Sequence, residues 1–158
     1  MKIKLQDGKP ASQDAIASLE AALGCRLSDS FRSFVATYDG ARPQPNIFRV
    51  SDNNDCGVNE FIPVHEIEKV CRNVEKIGPR AYPVAWAECG NYVCVDEDRN
   101  GAVFFWDHEV PDEPTELAAS FGSFLDLLEP FDIGTIPLKP GQVKKVWIDP
   151  EFAKTLRK

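Results

Sequence analysis

The fold of this chain is decided by the stretch Asn91-Tyr92-Val93-Cys94-Val95-Asp96-Glu97-Asp98-Arg99-Asn100-Gly101-Ala102-Val103-Phe104-Phe105-Trp106-Asp107. Two runs rich in β-branched and aromatic residues, 91–96 and 102–107, flank a polar segment that ends in Asn100-Gly101. Because asparagine and glycine tolerate positive φ, this arrangement predicts a β-hairpin. Both faces of Val103-Phe104-Phe105-Trp106 are apolar, which predicts an interior strand covered on both sides.

The segments on either side of this hairpin predict a mixed fold. A further strand is predicted at 82–87. Caps, apolar residues at helical spacing and stop signals predict helices within 12–24, 28–40, 63–78 and 120–130. The stretch 41–57 is predicted as a loop with one strand at 47–50, and 110–116 as a loop. In the C-terminal part, a strand is predicted at 143–148, followed by a short helix that begins at Asp149-Pro150-Glu151.

These elements predict an α+β fold, a single domain with helices packed on a mainly antiparallel β-sheet. The domain is predicted to span 1–130, and 131–158 is predicted to be a basic C-terminal extension packed on it or appended to it. With 158 residues and 43% hydrophobic content, the chain can bury a core. No window approaches 18 uninterrupted apolar residues and the N-terminus lacks an apolar signal region, so we expect no membrane association and a cytoplasmic location.

The charges are unevenly distributed. The chain has 18 basic and 25 acidic residues, which argues against binding to nucleic acid. Residues 131–158 contain six basic and three acidic residues, whereas 88–116 contains nine acids and one base, Arg99. Such a field would attract a basic protein, although a solvated face would look the same. The candidate partner-binding residues are Glu88, Asp96, Glu97, Asp98, Asp107, Glu109, Asp112, Glu113 and Glu116.

One segment fits the spacing of a calcium loop. From Asp96 to Asp107, acids or amides stand at positions 1, 3 and 5, glycine at 6, an aliphatic residue at 8 and an acid at 12. The flanks have strand sequences rather than helical ones, position 12 is aspartate, and Arg99 would lie near the cation. We therefore interpret the segment as a hairpin turn and predict no metal site.

The chain offers little for catalysis or cofactor binding. Its five cysteines have irregular spacing without a CxxC pair, which predicts reduced and mostly buried thiols. A zinc site would need Cys89, Cys94 and His108 to converge with a fourth ligand. The sequence contains no glycine-rich phosphate loop and no GxSxG or HExxH motif. We predict no catalytic residues and no cofactor.

The order of several motifs gives the chain a family resemblance over about residues 12–129. The matching pieces are Ile16-x-x-Leu19-Glu20-x-x-Leu23-Gly24-x-x-Leu27, Phe31-x-x-Phe34-Val35 running to Asp39-Gly40, Phe61-Ile62-Pro63-Val64-His65-Glu66-Ile67, Tyr82-Pro83-Val84-Ala85, Cys89-Gly90-Asn91-Tyr92-Val93-Cys94-Val95-Asp96, Gly101-x-Val103-Phe104-Phe105-Trp106-Asp107-His108-Glu109 and Ser120-Phe121-x-x-Phe124-Leu125-x-x-Leu128. In this order they resemble the Smi/Knr-type domain of the SUKH superfamily.

The resemblance implies a non-enzymatic, protein-binding function. Bacterial relatives are immunity proteins that neutralise a toxin domain by binding it, and many of these toxins are nucleases with basic active sites. Fungal relatives regulate cell-wall synthesis through protein partners. The resemblance and the charge pattern together predict an immunity protein, a monomer or weak dimer, whose acids bind a basic toxin. The alternatives are a regulatory interaction module with a non-toxin partner and, last, an enzyme or calcium-binding domain.

Overall fold

The computed structural model describes residues 3–131 together with Gly141, Trp147 and Asp149. In this part of the chain the elements follow the order β1 (Lys4–Gln6), α1 (Gln13–Leu23), α2 (Asp29–Tyr38), β2 (Arg42–Gln44), β3 (Ile47–Ser51), β4 (Asn54–Phe61), α3 (Val64–Cys71), β5 (Ala81–Ala87), β6 (Tyr92–Asp96), β7 (Ala102–Trp106), β8 (Thr115–Ala118) and α4 (Phe121–Asp126). The predicted α+β class with a mainly antiparallel sheet is confirmed. The strand predicted at 143–148 and the helix predicted after it lie outside the described residues.

Strands β3 to β8 form one six-stranded antiparallel sheet in which neighbours in sequence are neighbours in space. The predicted hairpin is confirmed: β6 pairs with β7, and the turn between them closes with Asn100 at φ 57° and Gly101 at φ 76°. Strands β1 and β2 form a separate antiparallel pair. The chain after α2 runs beside β4, whose Phe61 N–H donates to the Ala41 carbonyl at 2.9 Å.

The larger hydrophobic core lies between the helices and one face of the sheet. At its centre the ring of Phe121 contacts Phe31 and Phe34 with centroid distances of 4.9 Å, and Phe61 at 5.6 Å. All four rings are buried, and their edge-to-face geometry is the arrangement that aromatic quadrupoles favour. This packing fixes α2 and α4 over the middle of the sheet.

A smaller cluster covers the opposite face of the hairpin strands. Phe104 and Trp106 pack there with Cys94 and with Val74, which follows α3. The indole N–H of Trp106 donates to the Glu75 carbonyl at 3.0 Å, which ties this segment to the sheet. Every residue of β7 is buried, so the predicted covering of this strand on both sides is confirmed.

Three predictions of local structure were wrong. The stretch 41–57 was predicted as a loop with one strand, but it also contains β2 and the first half of β4. Residues 110–116 were predicted as a loop, but β8 begins at Thr115. The third helix was predicted to reach 78 and ends at Cys71, because the chain turns there to bring Val74 over the second face of the sheet.

Candidate functional site

The nine acids predicted to bind a partner do not form one surface. Asp96, Glu97 and Asp98 lie at the turn between β6 and β7, whereas Glu88 and Asp107 lie at the other end of the same strands, because Tyr92 pairs with Trp106 there. A strand rises about 3.4 Å per residue, so the two ends of the five-residue β6 lie about 14 Å apart.

At the turn end, Glu97 points into the protein. Its Oε1 accepts a hydrogen bond from the Tyr82 hydroxyl at 2.6 Å and another from the Ser28 backbone N–H at 2.7 Å. Ser28 is the N-cap of α2, and its own side chain forms no capping hydrogen bond. The carboxylate of Glu97, from another element, instead accepts the backbone N–H at this helix end. The pKa of the Tyr82 hydroxyl is raised, mainly by burial and secondly by the hydrogen bond to Glu97. The hydroxyl therefore keeps its proton and can donate it to the carboxylate in this hydrogen bond.

The remaining acids of the turn end are paired within the domain. Asp98 forms an ion pair with Arg80, and Glu116 of β8 forms one with Arg99. Asp96 Oδ1 accepts from the Asp98 backbone N–H at 2.9 Å, which stabilises the turn itself. Most of the negative charge at this end is thus balanced by neighbouring arginines or used in local hydrogen bonds.

Gly101 allows the turn to lie against the start of α2, and Gly101→Ala is expected to destabilise the domain by about 2–3 kcal/mol. A β-carbon at Gly101 would lie 2.8 Å from the Ser28 β-carbon, and the residue has φ +76°. Gly24→Ala is the matched control, because Gly24 also has positive φ (+64°) but no atom within 4 Å. Thermal denaturation of both variants measures the difference. Equal losses would show that the close approach to Ser28 contributes nothing.

At the other end, five predicted acids lie on two loops that contact each other. We call Glu88, Asp107, Glu109, Asp112 and Glu113 the acidic loop surface. The side-chain oxygen of Asn91 accepts from the His108 backbone N–H at 3.2 Å and lies 2.8 Å from Nδ1 of the same histidine, which is therefore the protonated ring nitrogen. Asn91 is the buried residue that joins the two loops.

The acids of this surface keep most of their charge unbalanced. Glu88 accepts from the Gly57 N–H at 3.1 Å, and Asp112 pairs with Lys76 at 2.5 Å. Across the described residues, no ion pair or side-chain hydrogen bond is formed by Glu109 or Glu113, and both are exposed. Of the five carboxylates, Asp112 is the one that pairs with a lysine or arginine among the described residues, and Asp107 Oδ1 lies 3.9 Å from His108 Nδ1. The remaining acids leave a negative local field.

An exposed apolar side chain lies on one of these loops, between Glu109 and Asp112 in the sequence. Val110 is 49% exposed, and the Glu113 N–H donates to its carbonyl at 3.0 Å, which folds the loop into a compact turn. His108 was considered from the sequence only as a zinc ligand, and no role was predicted for Asn91 or Val110. A signal for Val110 was present, because it is an apolar residue isolated among Glu109, Asp112 and Glu113.

The chemistry of the cysteines gives no sign of an activated nucleophile. Burial raises the pKa of Cys56 and of Cys71 to about 11, so both thiols are protonated at neutral pH. All five cysteines are free thiols, as predicted, but Cys89 is exposed and Cys25 and Cys71 are half-buried, so the prediction of mostly buried thiols was only partly right. Within the described part of the chain, no three His, Cys, Asp or Glu side chains are grouped to hold a metal ion.

A shallow groove of about 520 Å³ lies between β2 and β4. Its amide side chains already hydrogen-bond within the protein: Gln6 with Gln44 at 2.8 Å, and Asn46 with the Val58 carbonyl at 2.9 Å. The groove therefore presents few unpartnered polar groups to a small molecule. None of the helices in the described residues has the length and apolar character needed to cross a membrane.

Comparison with known protein families agrees with this fold. A family model described as "SMI1 / KNR4 family (SUKH-1)" matches residues 10–127. None of the curated proteins compared with the chain matches it. The matched region includes every helix and all but the first strand, β1, of the described structure. It therefore covers most of the sequence, and the chain belongs to the SMI1 / KNR4 family (SUKH-1).

Proposed function

We propose that this chain is a non-catalytic immunity protein that neutralises a cognate toxin by binding it through the acidic loop surface. The family supports a domain of the immunity or Smi1/Knr4 type that acts on a protein partner. The observation that carries the finer proposal is that Glu88, Asp107, Glu109, Asp112 and Glu113 lie on two loops joined through Asn91 and His108, one of which also exposes Val110. The interface thus uses five of the nine predicted acids.

The expected partner is a basic domain with an apolar contact at its centre. Carboxylates arranged on a loop surface complement the cations that a nuclease uses to bind phosphates, and they accelerate association through long-range attraction. Charge alone gives limited affinity, because exposed charges are solvated and screened. An apolar side chain at the centre of a polar rim supplies the desolvated contact that a stable interface needs. Val110, exposed between Glu109 and Asp112 in the sequence, can supply this contact.

A protection assay tests the proposal. The C-terminal domain encoded by the gene next to this one, about 150 residues or one domain's worth, is expressed with and without the protein, and cell survival is scored. We expect the domain alone to be toxic and co-expression to restore growth. A toxic domain that is not neutralised would contradict the immunity function and would favour a regulatory partner, which affinity purification would then identify.

A further inference from the structure

Two cysteines, Cys56 and Cys89, lie close together where strand β4 meets the turn that connects β5 to β6. The last cross-strand pair on this side joins Val58 to Ala87. Two residues beyond that pair, Cys56 of β4 stands level with Cys89, and β4 packs against the turn Glu88–Gly90. Regular antiparallel pairing separates facing Cα atoms by about 4.5–5.5 Å. A disulfide accepts Cα separations of about 4.4–6.8 Å, so a small adjustment of the turn suffices to form one.

The contacts of Cys56 place its thiol against this turn. Burial raises the pKa of Cys56 to about 11, a hydrogen bond with the Glu88 backbone lowers it, and negative charge on Glu88 and on Cys89 raises it. These influences act over short distances, so Glu88 and Cys89 are neighbours of the Cys56 sulfur. The Gly57 N–H, which donates to the Glu88 carboxylate at 3.1 Å, connects the same two segments.

Cys89 has an unusual backbone conformation for a cysteine. It has φ 60° and ψ 22°, and Gly90 after it has φ 82°, so both residues lie in the left-handed region. Tight turns of this kind favour Asn, Asp and Gly, because other side chains are strained at positive φ. Strained positions of this type are concentrated at functional sites. The side chain of Cys89 is exposed and that of Cys56 is buried, so the pair combines an accessible sulfur with a protected one.

Cys71 and Cys94 form a second pair of neighbouring thiols, but they differ in access. Cys94 is completely buried, and its pKa is raised by burial first and then by negative charge on Cys71. A dissolved reagent therefore cannot reach the Cys94 sulfur in the folded domain. Burial also raises the pKa of the half-buried Cys25, whose charged neighbours are carboxylates and an arginine. Cys56 and Cys89 are thus the pair with one sulfur open to solvent.

We propose that Cys56 and Cys89 are a redox-sensitive pair that a low-molecular-weight disulfide, such as oxidised glutathione, converts into a reversible disulfide bond. First, the Cys89 thiolate attacks one sulfur of the reagent, which forms a mixed disulfide and releases one glutathione thiolate. The Cys56 thiolate then attacks the Cys89 sulfur, which forms the Cys56–Cys89 bond and releases the second glutathione. The two protein thiols lose two electrons and two protons, and the reagent takes them up as it becomes two glutathione thiols.

The bond would fasten the turn that carries Glu88, one of the acids of the acidic loop surface, to β4. Neither exchange step involves the partner of that surface, so the redox pair does not rest on the proposed function. Because burial keeps Cys56 protonated at neutral pH, the second step is the slower one. We therefore expect the mixed disulfide on Cys89 to be detected before the link.

Mass spectrometry of the full chain tests the pair. The reduced protein is incubated with oxidised glutathione at about pH 8.5, the ordinary pKa of a thiol, which increases the thiolate fraction. We expect a glutathione adduct on Cys89 first, and then, as the main product, a chain that has lost the glutathione and two hydrogen atoms. Chymotrypsin, which cleaves after Tyr92, separates Cys89 from Cys94, so the linked peptides identify Cys56 as the partner. Excess reduced glutathione should restore both thiols.

Three variants make the result specific. Cys89→Ser should abolish the link, and because this side chain is exposed, the variant should fold normally. Cys56→Ser should stop the reaction at the mixed disulfide on Cys89, whereas Cys25→Ser, the matched control, should leave the link unchanged. A persistent adduct on Cys89 without the link, or a link between Cys71 and Cys94 instead, would overturn the proposal. So would a disulfide confined to a covalent dimer, because Cys89 would then react with a second copy of the chain.

Discussion

Glu97→Ala is expected to lower the free energy of unfolding by about 3 kcal/mol. The substitution removes the acceptor of two hydrogen bonds, and hydrogen bonds to a charged group each contribute about 1.5–3 kcal/mol. It leaves the hydroxyl of the fully buried Tyr82 and the N–H of Ser28 without the partner that Glu97 supplied. Because Ser28 is the N-cap of α2 and Tyr82 belongs to β5, the loss also weakens the connection between the helix and the sheet.

Urea denaturation measures this effect, and two controls assign it. Glu97→Gln keeps an oxygen in the same place, so we expect it to cost only about 1 kcal/mol, the contribution of an ordinary hydrogen bond. Asp98→Ala removes the neighbouring carboxylate, whose ion pair with Arg80 is exposed, and should cost at most about 1 kcal/mol. If Glu97→Ala were no more destabilising than Asp98→Ala, Glu97 would have no structural role.

A double-mutant cycle with Tyr82→Phe isolates the bond between the two side chains. If the tyrosine hydroxyl and the carboxylate stabilise each other, Glu97→Ala should be less harmful when the hydroxyl is already absent. We expect a coupling energy of about 1–2 kcal/mol, within the range found for residues that share a hydrogen-bond network. Additive effects would show that the pair interacts only through its surroundings.

The example of Glu97 shows what the sequence could not predict about the candidate site. Nine acids were predicted to act together because they are close together along the chain. Charge density along a chain does not reveal in which direction a side chain points or which cation it meets. The partner of Asp98 is 18 residues away in sequence, and Ser28 is 69 residues from Glu97. Such contacts depend on the tertiary fold.

The strands show a similar limit. Strand β4 has the sequence Asn54-Asp55-Cys56-Gly57-Val58-Asn59-Glu60-Phe61, which is poor in β-branched residues and interrupted by glycine. It is a strand because β3 pairs with it on one side and β5 on the other, and this tertiary pairing outweighs local propensity. A β-carbon at Gly57 would lie 2.9 Å from the carboxyl group of Glu88, so a larger residue there would have to displace that side chain.

Local signals were sufficient where one element decides its own conformation. The hydroxyl of Ser12 accepts from the Ala15 N–H at 3.1 Å, and Gly24 ends α1 in the left-handed conformation, so a cap and a stop signal lie at the two bounds of the helix predicted within 12–24. Asn100-Gly101 likewise closes the predicted hairpin. Caps and tight turns are set by residues three or four apart, so the sequence alone predicts them. The directions and contacts of the loop side chains depend instead on residues that are far away in the sequence.

Glu109→Lys combined with Glu113→Lys is expected to weaken binding of the toxin domain on the order of 100-fold or more. Both acids are exposed, and neither forms an ion pair or side-chain hydrogen bond with another described residue, so the fold should be unaffected. The substitutions replace attraction of a basic partner by repulsion on both sides of Val110. Stopped-flow measurements should show a slower association whose dependence on salt is reduced or reversed in sign.

The matched control is Asp52→Lys with Glu68→Lys, which makes the same change in net charge at the turn between β3 and β4 and on α3. This variant shares the long-range effect of the lower net charge but retains the acidic loop surface. We therefore expect its affinity to fall less than about tenfold. Equal losses in the two variants would mean that the partner senses only the total charge of the protein.

Unchanged affinity in the Glu109/Glu113 variant, with its melting temperature preserved, would show that the acidic loop surface is not part of the interface. It would then direct attention to the paired acids at the opposite end of the hairpin.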